Sequence, residues 1–330
     1  MTEAIVPRAF IWRRLHSLMG LWLMLFLIEH LLTNSQAALW LGDNGKGFVK
    51  MVNALHDLPY LQVIEILLLG IPFLIHMVWG VKYLLTAKSN AKSSDGSKPA
   101  LKEYGRNRAY SWQRITSWIL LIGIIGHVTK FRFIDYPDSI NTAGKQTYFA
   151  VLDFDQGLHT VAHRVGATLY DKARINNEAL AFKREGAHVA ILEAAREIQK
   201  DSTVYQEQEG LILVAVEEYQ EQKVFVETLQ NQKLKENQVV ATSSSFGTAT
   251  LLLVRDAFKS PIYVGLYTIF VLAACFHAFN GFWTFLITWG VILNMRSQKK
   301  MVNVAIGLMA AITFLGLISI WGTYWMNLKN

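Results

Sequence analysis

Four histidines lie well inside long apolar stretches of this chain: His30, His76, His127 and His277. The stretch 262–293 contains no acidic or basic residue, and His277 sits near its middle. A run of that length crosses the roughly 30 Å hydrocarbon layer of a membrane as a helix. A polar ring at that depth is costly, so it needs a partner. Imidazole stays neutral when buried and coordinates metals through either ring nitrogen. Four such residues on four different helices read as two pairs, and two pairs of neutral imidazoles inside a bundle are what two bis-histidine haems require. Taken singly, each histidine reads better as a hydrogen-bonded structural residue; it is two pairs matched in depth that favour haem.

The elements that must carry these histidines are five apolar spans. The first runs from about Leu15 to Trp40 and is opened by Arg13 and Arg14. A loop follows at Asp43, Asn44, Gly45 and Gly47. The second span, about Leu61 to Leu85, has Pro72 one turn before His76. Proline lacks an N–H, so it frees a carbonyl and bends the helix unless a neighbour takes up the bond. A polar stretch rich in Lys, Arg, Ser and Gly extends to Arg108 and reads as a solvated linker. The third span, about Tyr110 to Phe133, holds His127, and the fourth is 262–293. The fifth, about Val302 to Met326, has no histidine and ends in Trp321, Tyr324 and Trp325, an aromatic cluster suited to a membrane interface.

Orientation follows from Lys and Arg in the short connections. The N-terminal segment carries Arg8, Arg13 and Arg14; the second-to-third connection runs from Lys82 to Arg108; the fourth-to-fifth has Arg296, Lys299 and Lys300. The first-to-second loop has only Lys46 and Lys50, and the C-terminal tail Lys329. The N-terminus is therefore expected in the cytoplasm and the C-terminus outside. His30 then lies about 22 Å along an outward-running helix. His127 lies at similar depth in the outward-running third span, so the two form an outer pair. His76 and His277, on inward-running helices, form an inner pair.

Between the third and fourth spans lies a polar segment, giving three parts: 1–133 with spans one to three, an extracytoplasmic insert at 134–258, and 259–330 with spans four and five. Within the insert, residues 172–200 have helical apolar spacing. The runs 147–154, 211–219 and 223–229 read as strands, so a small α+β unit is expected. His159, His163 and His188 lie there without the cysteine or carboxylate spacing of a metal site and read as surface residues.

Composition narrows the chemistry. The chain has 330 residues, 52% of them hydrophobic, which places it among membrane proteins. Its net charge of +7 comes from residues clustered between spans, where they set orientation and do not form a nucleic-acid surface. The single cysteine, Cys275, excludes a disulfide framework, a thiolate zinc site and an iron–sulfur cluster within the chain. There is no glycine-rich dinucleotide fingerprint after a strand, no P-loop and no nucleophile elbow. No short hydrophobic core with a cleavage site opens the chain, so the first span is expected to be retained.

The strings RRLHSLMG (13–20), IEHLLTN (28–34), HDLPYLQVIEI (56–66), PFLIHMVWG (72–80), WQRIT (112–116), IIGHV (124–128), FHAFNGFWTFLITWG (276–290) and RSQ (296–298) resemble the cytochrome b membrane-anchor subunit of type B succinate dehydrogenases and fumarate reductases, the b558 family. The resemblance covers the five spans in order. It implies an all-α membrane protein, a five-helix dihaem bundle with two haems b on iron ligands matching His30, His127, His76 and His277. It also implies residence in a bacterial cytoplasmic membrane, and partners bearing covalent FAD and iron–sulfur clusters. Electrons from succinate oxidation in the tricarboxylic acid cycle would then reach a quinone, usually menaquinone. In that family the third-to-fourth connection is short, so the resemblance assigns the α+β insert no role; capping the outer quinone region, binding a partner and a tolerated loop insertion are the readings open to it, with a structural or partner-binding role preferred.

Haem propionates need cationic or hydroxyl donors at the membrane edge. His16 and Ser17 in RLHS are the preferred candidates, with Arg114, Arg13 and Arg14 beside them; the arginines read equally as orientation anchors. Quinone reduction needs proton donors. Glu29, His56, Asp57 and Glu65 lie near the outer ends of the first two spans, and Asp57 is the leading candidate, with helix capping before Pro59 as the alternative. Two other functions compete: the anchor of a quinol:fumarate reductase, with the same architecture run in reverse, and a non-haem membrane scaffold or transporter.

Overall fold

The computed structural model describes residues 7–38, 45–86, 101, 103–142, 144–198 and 203–329, with the side chains of 187–189, 191–212 and 329 left aside. The Asp43–Asn44 part of the first loop and residues 87–100 of the polar linker lie outside the described residues. The chain divides into two compact units, one of Met1–Ile134 with Phe258–Leu328 and the other of Asp135–Ala257 with the two terminal residues.

Helix α1 runs Arg8–Ser35 and tightens into a 3₁₀ turn over Gln36–Ala38. A short amphipathic helix, α2 (Lys46–His56), precedes the second span, α3 (Leu61–Thr86). In α3 the turn over Ile66–Gly70 is widened to π geometry, with the Ile71 N–H bonded back five residues to the Ile66 carbonyl. Pro72, which cannot donate, follows at once, and the Leu68 carbonyl four residues before it accepts the Trp22 indole N–H of α1 at 2.6 Å. The bond that proline removes is thus supplied from a neighbouring helix. Helix α4 covers Gly105–Ile134 and also ends in a widened turn, Thr129–Ile134.

The second unit is a four-stranded antiparallel sheet with helices on both faces. Its strands are β1 (Asp138–Thr142), β2 (Lys145–Asp153), β3 (Thr168–Tyr170) and β4 (Gln238–Ser243), in the order β1-β2-β4-β3. Its helices are α5 (Gln156–Val165), α6 (Lys172–Ile198), α7 (Thr203–Asn231) and α8 (Phe246–Ala257). One sheet face, with Phe149, Tyr170 and Val240, packs against Ile175 of α6 and Phe225 and Leu229 of α7. Alternate residues of β2, among them Tyr148, Ala150 and Leu152, are buried on the other face, where α8 packs and Tyr148 meets Phe246 edge-on. From α8, the buried Arg255 forks onto both oxygens of Asp155 at 2.7 and 2.8 Å.

The expected strand at 147–154 falls on β2 and the expected helix at 172–200 on α6, with 199–200 outside the described residues, but 211–219 and 223–229 are helical, both inside α7. Their β-branched residues favour strands only weakly. The intervening Gln220-Glu221-Gln222 offers no turn, and Val226 and Leu229, three residues apart, are the buried positions, which is helical spacing. His159 and His163 are exposed on α5; the side chain of His188 lies outside the described residues.

The last two spans are α9 (Pro261–Thr288) and α10 (Met295–Leu328). The apolar run 262–293 is therefore longer than its helix. Gly290, at φ 72°, closes α9 in a Schellman turn, with Val291 N–H on the Leu286 carbonyl and Gly290 N–H on that of Ile287. Asn294 then caps α10 by accepting the Ser297 N–H at 2.7 Å. The spans also begin earlier than hydropathy suggests, at Arg8 and Met295, because basic residues continue a helix through the interface. Helix α1 packs against α3, α9 and α10, and α9 against α1, α4 and α10. The outward surface of these helices is apolar, with Ile122, Ile125, Ile262 and Phe314 all exposed. Lipid is the solvent such a surface fits, and the chain is a multi-pass membrane protein.

Candidate functional site: two facing histidine pairs

The four intramembrane histidines come from four different helices, His30 from α1, His76 from α3, His127 from α4 and His277 from α9. The structure brings His30 to His127, with ring centroids 5.8 Å apart and planes at 89°. It brings His76 to His277 at 6.1 Å and 82°. Two imidazoles sharing one metal ion, each bound through nitrogen at about 2 Å, have centroids about 6 Å apart. Among the described residues no three His, Cys, Asp or Glu side chains are placed to hold a metal ion together, so each facing pair offers two protein donors, the number a bis-histidine haem takes.

The neighbours of the rings decide which nitrogen is available. His76 Nδ1 lies 3.0 Å from the His16 carbonyl oxygen. A carbonyl only accepts, so Nδ1 carries the ring proton and the Nε2 lone pair is left for a metal. His277 Nδ1 lies 3.4 Å from Thr116 Oγ1 and 3.5 Å from Ser117 Oγ. Both hydroxyls donate to backbone carbonyls of their own helix, Thr116 to Trp112 and Ser117 to Gln113. Their oxygens are therefore acceptors toward the ring, and Nε2 is again left over. His127 Nδ1 lies 3.1 Å from Tyr267 Oη. Such outer partners orient metal-binding imidazoles and raise their basicity.

The inner pair is held by further contacts. The His16 ring stacks on His76 at 4.1 Å and 9°. A Cβ on Gly20, one helical turn after His16, would come within 2.8 Å of His76 Cε1, so only glycine leaves room for the ring there. Gln113 Nε2 donates to the His277 carbonyl at 3.0 Å and its Oε1 accepts from Asn280 at 2.7 Å, while Trp283 Nε1 donates to Asn280 Oδ1 at 3.0 Å. This network ties α4 to α9 across the ligand. Nothing in the spacing of the sequence points to Gln113 or Tyr267; only the Asn280 and Trp283 of FNGFW mark a polar group inside an apolar run.

His16 Nδ1 is buried without a hydrogen-bond partner, beside the inner pair. Ser17 Oγ donates to the Arg14 carbonyl and accepts Trp289 Nε1 at 3.0 Å. Arg114 reaches the Leu84 carbonyl at 3.5 Å, and Arg14 lies over the Phe10 ring at 3.5 Å. A buried, unpartnered imidazole nitrogen within stacking distance of His76 suits an anionic or accepting group of a prosthetic ring. With two nitrogen donors in each pair, the residues present fit two haems.

At the other ends of the spans, Asp57 is exposed and ends α2 at its C-terminus, so it does not cap a helix N-terminus. Glu65 instead pairs with Arg132 of α4 at 3.0 Å. His56 lies within electrostatic reach of Asp57, Arg132 and Glu65, and burial is the main cause that lowers its pKa. Glu29 accepts from Thr33 Oγ1 at 2.8 Å within α1. Arg132 was not among the residues suggested by the sequence, because a single arginine at a helix end reads as an interface anchor.

No protein-family model matches the chain, and no solved structure matches it. Among curated proteins it is similar to the succinate dehydrogenase cytochrome b558 subunit of Bacillus subtilis (strain 168), with 23% identity over 315 residues, 95% of this chain and 96% of that protein.

Proposed function

We propose that this chain is the dihaem cytochrome b membrane anchor of a succinate:quinone oxidoreductase, with His30 and His127 holding an outer haem b and His76 and His277 an inner one. The observation that carries the reading is the pairing itself: four imidazoles from four helices meet two by two, and hydrogen bonds on Nδ1 leave Nε2 to the metal in both members of the inner pair. The similarity to a succinate dehydrogenase cytochrome b558 subunit supports it. When bound, such haems supply one-electron transfer across the bilayer, from the iron–sulfur subunit of the complex toward menaquinone.

The protein's own contribution is binding and orientation. The His16 carbonyl, Thr116 and Ser117 set the tautomers of the inner ligands, and His16 and Arg114 are the propionate donors; Ser17 would join them only by giving up its bond to the Arg14 carbonyl. Apolar helices around both pairs keep the imidazoles neutral. Near the outer ends of α3 and α4, His56, Asp57, Glu65 and Arg132 form a charged group able to move protons to and from a quinone. The partners are a flavoprotein with FAD and an iron–sulfur protein, and the setting is a bacterial cytoplasmic membrane with the N-terminus inside.

The test is the haem-to-protein ratio of the purified complex together with its reduction by succinate. Two b-type haems per chain, both reducible by succinate, are expected. One haem per chain would overturn the pairing, and none would favour a scaffold. Two haems reducible by a quinol but inert to succinate would assign the fumarate-reducing direction.

A further inference from the structure

We propose that Tyr267 is a positioning residue for the outer pair, fixing the ring of His127 and setting the potential of the haem this pair would hold; the inference rests on the haem reading above. Tyr267 lies on α9, ten residues before His277 and so nearly three turns away on the same helix. One helix thereby contributes to both pairs, through a ligand at one level and a ligand's partner at the other.

The contact is specific. His127 Nδ1 and Tyr267 Oη are 3.1 Å apart, and among the described residues this is the one hydrogen bond made by a ring nitrogen of the outer pair. The phenol is held from three sides by aromatic rings, Phe131 at 6.2 Å, Phe258 at 5.3 Å and Phe270 at 6.0 Å between centroids, all edge-on. Phe131 and Phe270 also touch His127 itself, at 5.3 and 6.0 Å. The hydroxyl is thus a polar group set among aromatic rings beside the ligand.

If iron takes Nε2 of His127, Nδ1 carries the proton and donates it to Tyr267 Oη. That hydrogen bond makes the imidazole a stronger electron donor and favours ferric iron. The acceptors differ between levels: an amide carbonyl and aliphatic hydroxyls serve the inner pair, a phenol the outer. A phenol oxygen shares its lone pair with the ring and accepts more weakly than an amide carbonyl. The two levels are therefore tuned separately by outer partners, although both present two histidines.

Tyr267→Phe removes one oxygen and leaves the ring packing in place. Redox titration of the intact purified complex, followed optically and by electron paramagnetic resonance, should show two haems retained. The outer centre should be about tenfold more reduced at a given ambient potential, 59 mV for a one-electron couple, and the inner centre unmoved. No shift at either centre, or an equal shift at both, overturns the proposal. If Tyr267→Phe loses the outer haem, Phe131→Leu decides, because it removes packing and no hydrogen bond: retention in that variant upholds the role of the hydroxyl, and loss in both overturns it. A parent complex without a b-type spectrum would defeat the haem reading itself, before Tyr267 is in question.

Discussion

His76 is gripped on three sides, by a carbonyl on Nδ1, a stacked ring on one face and Gly20 against its edge. Gly20→Ala is therefore expected to push the ring from its place: an added Cβ would stand at 2.8 Å, and the hydrogen bond to His16 resists the shift. The haem count of the purified complex should fall from two toward one, with the outer spectrum intact. At the proposed quinone site, Asp57→Asn should slow quinone reduction with both haem spectra unchanged, and an unchanged turnover would remove Asp57 from it. Glu65→Gln is a sharper probe, since Glu65 is the carboxylate that meets Arg132; a loss of turnover there with Asp57→Asn silent would move the proton donor to Glu65. The pairs were legible in the sequence because a polar ring in an apolar run is costly and depth sorts such rings into levels. Their acceptors were not, since a carbonyl on α1 and a phenol on α9 reach a ring only through helix crossings that no local pattern encodes.

At the scale of elements, the meeting of α1 and α3 is organised by Pro72. The sequence shows that a carbonyl is freed, and the structure shows that the Trp22 indole takes it at Leu68, eight residues before His76. Trp22→Phe keeps the ring and leaves that carbonyl without its partner, a cost of about 1–3 kcal/mol. The complex should lose thermal stability in detergent, with inner haem released before outer haem; release in the opposite order would disconnect this bond from His76. In the second unit, Asp155→Ala would leave the Arg255 guanidinium, 5% exposed, without its bidentate carboxylate. Breaking a fully buried pair costs about 3–5 kcal/mol, and the partial exposure of Asp155 makes the loss here smaller. Amide exchange of β2 and β4 in the full-length protein should accelerate accordingly, while exchange in α9 stays as it was. The misreading of α7 as two strands has a local cause: Leu, Val and Ile runs outweigh periodicity in short windows, and only the length without a turn residue discloses the helix.

For the molecule as a whole, the distribution of Lys and Arg carries the proposed orientation, N-terminus inside, and that proposal predicts opposite accessibility for the insert and for the polar linker. Single cysteines introduced into a variant lacking Cys275 should react with a membrane-impermeant maleimide in intact cells when placed at Lys235 or Lys172, and only after permeabilisation when placed at Ser93. The reverse pattern would invert the assignment of inner and outer pairs. The five spans were legible from hydropathy, and the sheet order was not, because β4 joins β2 across more than eighty intervening residues. The widened turn over Ile66–Gly70 bears on how such chains vary in length. Glu65 and His76 are eleven residues apart, which in an unbroken α-helix would set them within about 20° of one another. The wide turn absorbs about one residue of rotation between them, so that Glu65 meets α4 while His76 meets α1 and α9. A deletion of one residue in this segment would leave the hydropathy profile unaltered and swing one of the two side chains off its partner. Single-residue gaps at this point between related chains would therefore mark a change in which helices are joined, where a comparison of composition would register nothing.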